Sequence, residues 1–303
     1  VKEPRELIAD VDSIPPPARD LYDRQLLLQR HDAFMRFERM RAVDIFTVRG
    51  CPYHCTYCQQ GAFGHTVRMH SAEYIANEIE DVYRTYRPDG ISFSDDLFTL
   101  SAPRIDKLIG LLEERGLLGR IRYRADVRAN LVNEKLIAQL KRLNVVSTSI
   151  GAETGSERLL SKLKGRGITV AQTRTAIRML NAADIPVYIC MMVGAPDETL
   201  EEMAQTEAFL RESLEWHPLN SCNVNALTPL PGTPLWDQCI REGLLDPSTP
   251  GRELGFTLDH FAHRCFHICR HVSREALEAM LRRLVRLRAR KYRRALLRND
   301  PLG

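Results

Sequence analysis

Six short runs of β-branched or apolar residues, at 43–48, 91–94, 121–125, 145–150, 187–193 and 222–227, restrict the fold more than any other feature of this sequence. Between them lie segments with helical spacing at 72–86, 102–115, 133–143, 170–182, 200–214 and 234–242. The two periods mark strands and amphipathic helices respectively. Ser71, Ser101, Asn133 and Thr199 stand where helix N-caps are needed. Strict alternation of strand and helix implies right-handed βαβ crossovers and a parallel sheet. The expected fold is α/β: a partial (β/α)6 TIM-like barrel of parallel strands with a C-terminal helical extension. A doubly wound open sheet is the runner-up, and both place ligands beyond the C-terminal ends of the strands.

Three regions are expected. Residues 1–41 are polar and proline-marked, with Pro15, Pro16 and Pro17 followed by a helix-like stretch over 18–41, and read as a lead-in or linker. Residues 42–243 form the core barrel, and 244–303 a C-terminal extension. Within that extension 273–298 reads as one amphipathic helix, with Leu277, Met280, Leu281, Leu284 and Leu287 on one stripe and Arg282, Arg283, Arg286, Arg290, Lys291, Arg293 and Arg294 opposite. Two readings of the basic face stay open: a solvated side of a packed helix, or contact with an anionic lipid at a membrane surface, a nucleic acid or an acidic carrier.

A chain of 303 residues with 44% hydrophobic content buries a full-sized core. No apolar run approaches the roughly 18–20 residues that a membrane span needs. The start at Val1 has neither an initiator Met nor the apolar segment of a signal peptide, so a trimmed or excerpted soluble chain is expected. A net charge of +4 is close to neutral for this length, and no nucleic-acid partner is expected from it. Three of the eight cysteines fall in one short turn, which suits a ligand loop in a reducing cytoplasm better than a disulfide framework.

That turn, at 51–58 directly after the first strand run, carries Cys51, Cys55 and Cys58 at C-x3-C-x2-C spacing, with no fourth cysteine nearby. A loop of this length can place three thiolates on three irons of a cubane and leave the fourth iron without a protein ligand. An open iron is a place for substrate chemistry. The alternative is zinc, which takes four protein ligands in a structural site. His54 lies inside the loop, and Cys222 or Cys265 would have to be recruited from afar, so paired zinc spacing is missing.

With an aromatic residue, Tyr57, before its last cysteine, the turn resembles the signature of the radical S-adenosylmethionine (SAM) superfamily, and the resemblance extends over about 43–234. It implies a [4Fe–4S] cluster on Cys51, Cys55 and Cys58 whose open iron chelates SAM. Reductive cleavage of a carbon–sulfur bond then generates a radical on a small-molecule substrate. The cofactors carry the difficult chemistry, and the protein supplies position and a dry pocket. A reductant such as flavodoxin or ferredoxin is implied as partner. No catalytic acid or base is assigned, since radical abstraction needs none.

Further stretches fit the same resemblance. Asp95 and Asp96, ending the second strand run, look like the family's second-strand motif and would hold the SAM ammonium, by backbone carbonyls and by charge. The polar turn of a loop start is the plain alternative. Arg128, after the third run, would reach the SAM carboxylate as a planar donor fork. Glu153, in the Gly151-Ala152-Glu153 stretch after the fourth, would meet the ribose or the methionine amine, while Ser156 opens a following helix. Gly194 would let backbone approach the adenosine, with Glu198 steadying the helix start. Tyr57 and the Thr228 segment, which leads into Pro231-Gly232-Thr233-Pro234, complete the expected cofactor contacts.

A second group, His260, His263, Cys265, His267, Cys269 and His271, is compatible with an auxiliary metal site, but its alternation is that of one face of a strand. The lead-in from Val11 to Leu21 resembles the linker that follows the cobalamin-binding domain of cobalamin-dependent radical SAM proteins, which methylate, cyclise or rearrange their substrates. The cobalamin domain and its histidine motif are not among these residues. Cobalamin therefore stays an open third cofactor: either that domain has been cut away from a methyltransferase, or the enzyme works with SAM alone. Two other readings are a zinc-binding nucleic-acid module and a scaffold that keeps the fold without turnover.

Overall fold

The computed structural model describes residues 6–28, 40–59, 65–250, 254 and 266–298. It divides into two compact units. Val1–Pro52, Thr66–Val127 and Glu134–Ser147 make up the first, and Tyr53–His65, Arg128–Asn133 and Thr148–Gly303 the second.

In the first unit a single-turn helix α1 (Arg24–Leu27) precedes strand β1 (Ala42–Ile45). A two-stranded antiparallel ribbon of β2 (Val48–Arg49) and β3 (Arg68–Met69) follows. Next come α2 (Ala72–Tyr86), β4 (Gly90–Phe93), α3 (Ala102–Glu114), β5 (Arg122–Val127) and α4 (Glu134–Arg142). Val43 pairs in register with Ile91 and Ile91 with Tyr123, one strand over, in parallel ladders. All four residues of β4 are buried, as a central parallel strand requires. Phe93 stacks on Phe98 at 4.1 Å between centroids and on Tyr123 at 5.3 Å. Each such ring, fully buried, contributes about 1.5–3 kcal/mol. Ser71 and Ser101 cap α2 and α3 through the amides of Tyr74 and Arg104.

Strand β6 (Val145–Glu153) starts in the first unit and ends in the second. There follow α5 (Glu157–Lys164), α6 (Val170–Ala182), β7 (Val187–Val193), α7 (Leu200–Glu215), β8 (Ser221–Ala226), α8 (Pro234–Arg241) and α9 (Arg274–Arg298). Burial along β7 alternates: Val187, Ile189, Met191 and Val193 are buried, and Tyr188, Cys190 and Met192 half-buried. Thr199 and Glu202 form a capping box on α7. Helix α9 packs along β8, burying Leu277 and Leu284. Its Arg282 and Arg286 are exposed.

The strand order β1-β4-β5-β6-β7-β8 is sequential, parallel and not closed, which is the partial (β/α)6 arrangement expected from the rhythm. A doubly wound sheet would reverse its order at a switch point, and this one does not. Among the described residues no helix is long and apolar enough to cross a membrane.

Four local expectations are corrected. The run over 43–48 is not one strand: β1 stops at Ile45, and Val48 turns away to pair with Met69. The helix expected over 18–41 reduces, among the described residues, to α1, with 29–39 outside them. Arg19 sits instead in a 3-10 turn, where its buried guanidinium pairs with Glu78 of α2 at 2.6 Å and donates to the carbonyl of Asp44 at 3.1 Å. Helix α5, eight residues long and capped by Ser156, is additional to the six helical segments. No strand forms over 266–272. That stretch is held by single bonds to the loop before α7: Arg270 N donates to Pro196 O at 3.0 Å and Cys269 Sγ to Glu198 O at 3.2 Å.

Candidate functional site

In the first unit, the chain entering the cysteine turn is held by the aspartate pair that follows β4. Asp95 is buried, and its Oδ1 accepts from the amides of Thr47 and Val48, the latter at 2.8 Å, while Oδ2 accepts from Thr47 Oγ1 at 2.5 Å. Burial pushes the Asp95 carboxyl up, against the lowering effect of these bonds and of Arg104. Arg104 closes the same knot by donating to Thr47 O at 2.8 Å, Phe98 O at 3.0 Å and His70 O at 3.2 Å. Asp96 Oδ2 accepts from Gly50 N at 3.0 Å. Gly50 lies at φ 87°, and a methyl group on it would overlap Thr66 O. Both conditions demand glycine immediately before Cys51.

In the second unit, Cys55 and Cys58 are half-buried and joined by a turn in which Cys58 N donates to Cys55 O at 3.1 Å. Thr56 is tied on both sides of its peptide, donating to Leu163 O at 2.8 Å and accepting from Leu235 N at 2.9 Å. Tyr57 packs against an apolar cluster containing Leu159, Leu163 and Leu235. Its hydroxyl donates to Glu153, and burial first, then the Glu153 carboxylate, push it well above the ordinary tyrosine range. It therefore stays a protonated donor.

Glu153 follows a bulge in β6 and adopts φ 66°. It is buried and pairs with Lys164 Nζ at 3.1 Å, and the same ammonium donates to Gly151 O at 2.5 Å. Arg128 lies over Tyr53, 3.7 Å from the ring centroid, with one terminal nitrogen 3.7 Å from Cys55 Sγ and a buried Nε that has no partner. Gly194, at φ 93°, donates to the carboxylate of Glu198 and packs against Leu277 of α9. Thr228 Oγ1 turns back toward Ala226 O at 3.5 Å. Glu198 is buried, takes the Ala195 amide at 3.0 Å on the same oxygen, and leaves Oε1 unpartnered. Burial raises its carboxyl to about 7. Nearby Glu202 moves the other way: burial opposes it, but bonds from Arg158, Ser156 and the Thr199 amide bring it down to about 2.

The second unit thus brings Tyr57, Glu153, Arg128, Cys55 and Cys58 into one bonded set, while Gly194 and Thr228 stand at the ends of β7 and β8. Sequence reasoning missed Thr47 and Arg104, whose bonds to Asp95 and to each other span 48 and 57 residues, and Lys164, whose partners Gly151 and Glu153 lie 13 and 11 residues back outside its own helix. Among the described residues no group of three or more His, Cys, Asp or Glu side chains converges as a ready metal site. Three thiols at C-x3-C-x2-C spacing, with a cation beside Cys55, nevertheless make a donor set suited to an anionic thiolate cluster. Of the second His/Cys group, His260, His263 and Cys265 lie outside the described residues. His267 is bonded to Val272 O at 2.7 Å and Cys269 to Glu198 O.

An open parallel α/β barrel with a three-cysteine turn following its first strand defines the class as iron–sulfur enzymes that bind their ligands at the strand ends. The chain belongs to the radical SAM superfamily, whose family model matches residues 45–210. Enzymes of this family use a [4Fe–4S] cluster and SAM and act on small-molecule substrates with a reductant. The chain is 31% identical over 243 residues to an uncharacterized methyltransferase of Pyrococcus horikoshii, covering 80% of this chain and 50% of that protein. It is 27% identical to the anaerobic magnesium-protoporphyrin IX monomethyl ester cyclase of Cereibacter sphaeroides, covering 63% of this chain and 31% of that protein. Among solved structures it is similar in fold to the radical SAM methyltransferase TsrM from Kitasatospora setae, solved with cobalamin and a [4Fe–4S] cluster, at TM-score 0.57 and 22% identity over 70% of this chain and 42% of that one. The chain spans half or less of the length of these relatives.

Proposed function

We propose that this chain carries a [4Fe–4S] cluster on Cys51, Cys55 and Cys58 and serves the reductive cleavage of SAM for methyl or related group transfer to a small molecule. The observation that carries the reading is the three-cysteine turn that follows the first strand, with its backbone bonded at Gly50 before Cys51 and at Thr56 after Cys55. When bound, the cluster and SAM supply the bond cleavage and the radical. The protein's own part is positional. Arg128 sets a fixed positive charge beside Cys55 and keeps one donor, its Nε, in reserve for an anionic group such as the SAM carboxylate. Tyr57 closes the turn with an aromatic face. The loop after β4, with Asp95 and Asp96, would hold the SAM ammonium by its backbone carbonyls and by charge. Glu153, Gly194 and Thr228 would flank the ribose and adenine, with Glu153 already steered by Lys164.

The core at 42–243, with a lead-in at 1–41 and an extension at 244–303, is the division we adopt. A cytoplasmic setting, a flavodoxin or ferredoxin as electron donor, and contact of the exposed α9 arginines with a membrane surface belong to the same proposal.

The test is anaerobic reconstitution followed by identification of the nucleoside product. About four irons per chain and cleavage of SAM only with reductant are expected, with both lost when all three cysteines become alanine. 5'-Deoxyadenosine would indicate hydrogen abstraction, S-adenosylhomocysteine methyl transfer, and methylthioadenosine transfer of the aminocarboxypropyl arm. Adding cobalamin separates a transfer that needs it from one running on SAM alone. A chain that takes up no iron and sulfide at this turn would end the proposal.

A further inference from the structure

We infer that Lys164 is the positioning residue for the turn between Cys55 and Cys58. The inference rests on the cluster reading above. Lys164 is the last residue of α5, where a cation faces the unpaired carbonyls of the helix end. It is nonetheless only 8% exposed, which is rare for lysine. Its ammonium is held between Gly151 O at 2.5 Å and Glu153 Oε1 at 3.1 Å. Glu153 in turn accepts from the hydroxyl of Tyr57, the residue between the two cysteines of the turn.

Two routes therefore run from one helix end to adjacent residues of that turn. Leu163 takes the Thr56 amide directly, and Lys164 takes Tyr57 through Glu153. The first route fixes the height of the backbone; the second fixes where the ring of Tyr57 points. A buried ion pair is weak evidence for stability, because apolar residues of equal volume often serve as well. What apolar residues cannot supply is a carboxylate aimed at a hydroxyl. The space for the pair is itself specified. A methyl group on Gly151 would overlap the Glu153 carboxylate and lie 3.2 Å from the ammonium. The left-handed backbone of Glu153, uncommon for any residue but glycine, turns its side chain into that space. Supports of this kind, one layer behind the metal ligands, commonly change metal affinity 10–100-fold.

The experiment compares the wild-type chain with K164M, K164R, Y57F and G151A after anaerobic reconstitution. Two quantities are read: the rate at which a chelator strips iron, and the electron paramagnetic resonance spectrum of the reduced cluster with and without SAM. K164M and Y57F should each lose iron about tenfold faster and show shifted g values, and the double variant should be no worse than the worse single one. K164R should recover most of the resistance. G151A keeps both charges and the hydroxyl, yet should behave like K164M, which separates aim from charge. Should K164M fail to fold, Y57F and G151A carry the test. Wild-type stripping rates and spectra in those two variants would overturn the inference while leaving the proposed function intact. A wild-type chain that binds no iron would remove both.

Discussion

The two sides of the cysteine turn are secured by different chemistry. Upstream of Cys51 the side chains hold backbone: Asp95 takes the amides of Thr47 and Val48, Asp96 takes Gly50, and Arg104 takes the carbonyl of Thr47. Between Cys55 and Cys58 the two backbone bonds of Thr56 are joined by a side-chain relay in which a hydroxyl, a carboxylate and an ammonium are linked in series. A carboxylate that accepts several amides fixes a path of chain whatever its side chains are. A relay fixes one side chain and depends on every member. The upstream side should therefore behave as part of the fold, and the relay as part of the site.

The largest effect that would test this contrast is at Gly50. G50A places a methyl against Thr66 O at a positive φ, and should cost about 3 kcal/mol or more. A melting temperature within a degree or two of wild type would remove the upstream side from the fold's support. D95N comes next. It turns an amide NH2 toward donors that now meet an oxygen, and is expected to cost about 2–3 kcal/mol by urea unfolding, with or without iron.

Glu198 sharpens the comparison, because it too accepts two adjacent amides but leaves its other oxygen unpartnered. Its folded carboxyl titrates at about 7 against an ordinary 4.5. Between those values the folded state holds the proton that the unfolded state has released, so stability falls as pH rises from 4.5 through 7. E198Q should abolish this fall, which is on the order of 2 kcal/mol across the window. A wild-type stability curve already flat there would contradict the assignment. Glu202 contributes the opposite slope, with stability lost as pH falls from 4.5 through about 2. The smallest effect is expected for D96A, about 1 kcal/mol, which includes the loss of its exposed bond to Gly50 N. A cost matching that of D95N would mean the two aspartates share one task.

The strands and most helices were legible because their signals are local. The run over 187–193 and the segments 72–86 and 170–182 reappear in the structure residue for residue. The break in the first strand was not legible, since its cause, Asp95, lies 48 residues away from Thr47. Arg19 escaped for the same reason: its ion pair with Glu78 spans 59 residues. At the site, the cysteines, Tyr57 and Glu153 were found from spacing and resemblance. Lys164 was not, because a lysine at a helix end ordinarily points to water, and only the room left by Gly151 draws it inward.

The course of α9 has a consequence for the end of the open sheet. A sheet that stops short of closure leaves its last strand with amides and carbonyls that invite a stranger to dock alongside. With Leu277 and Leu284 laid against β8, the helix acts as a shutter over that invitation.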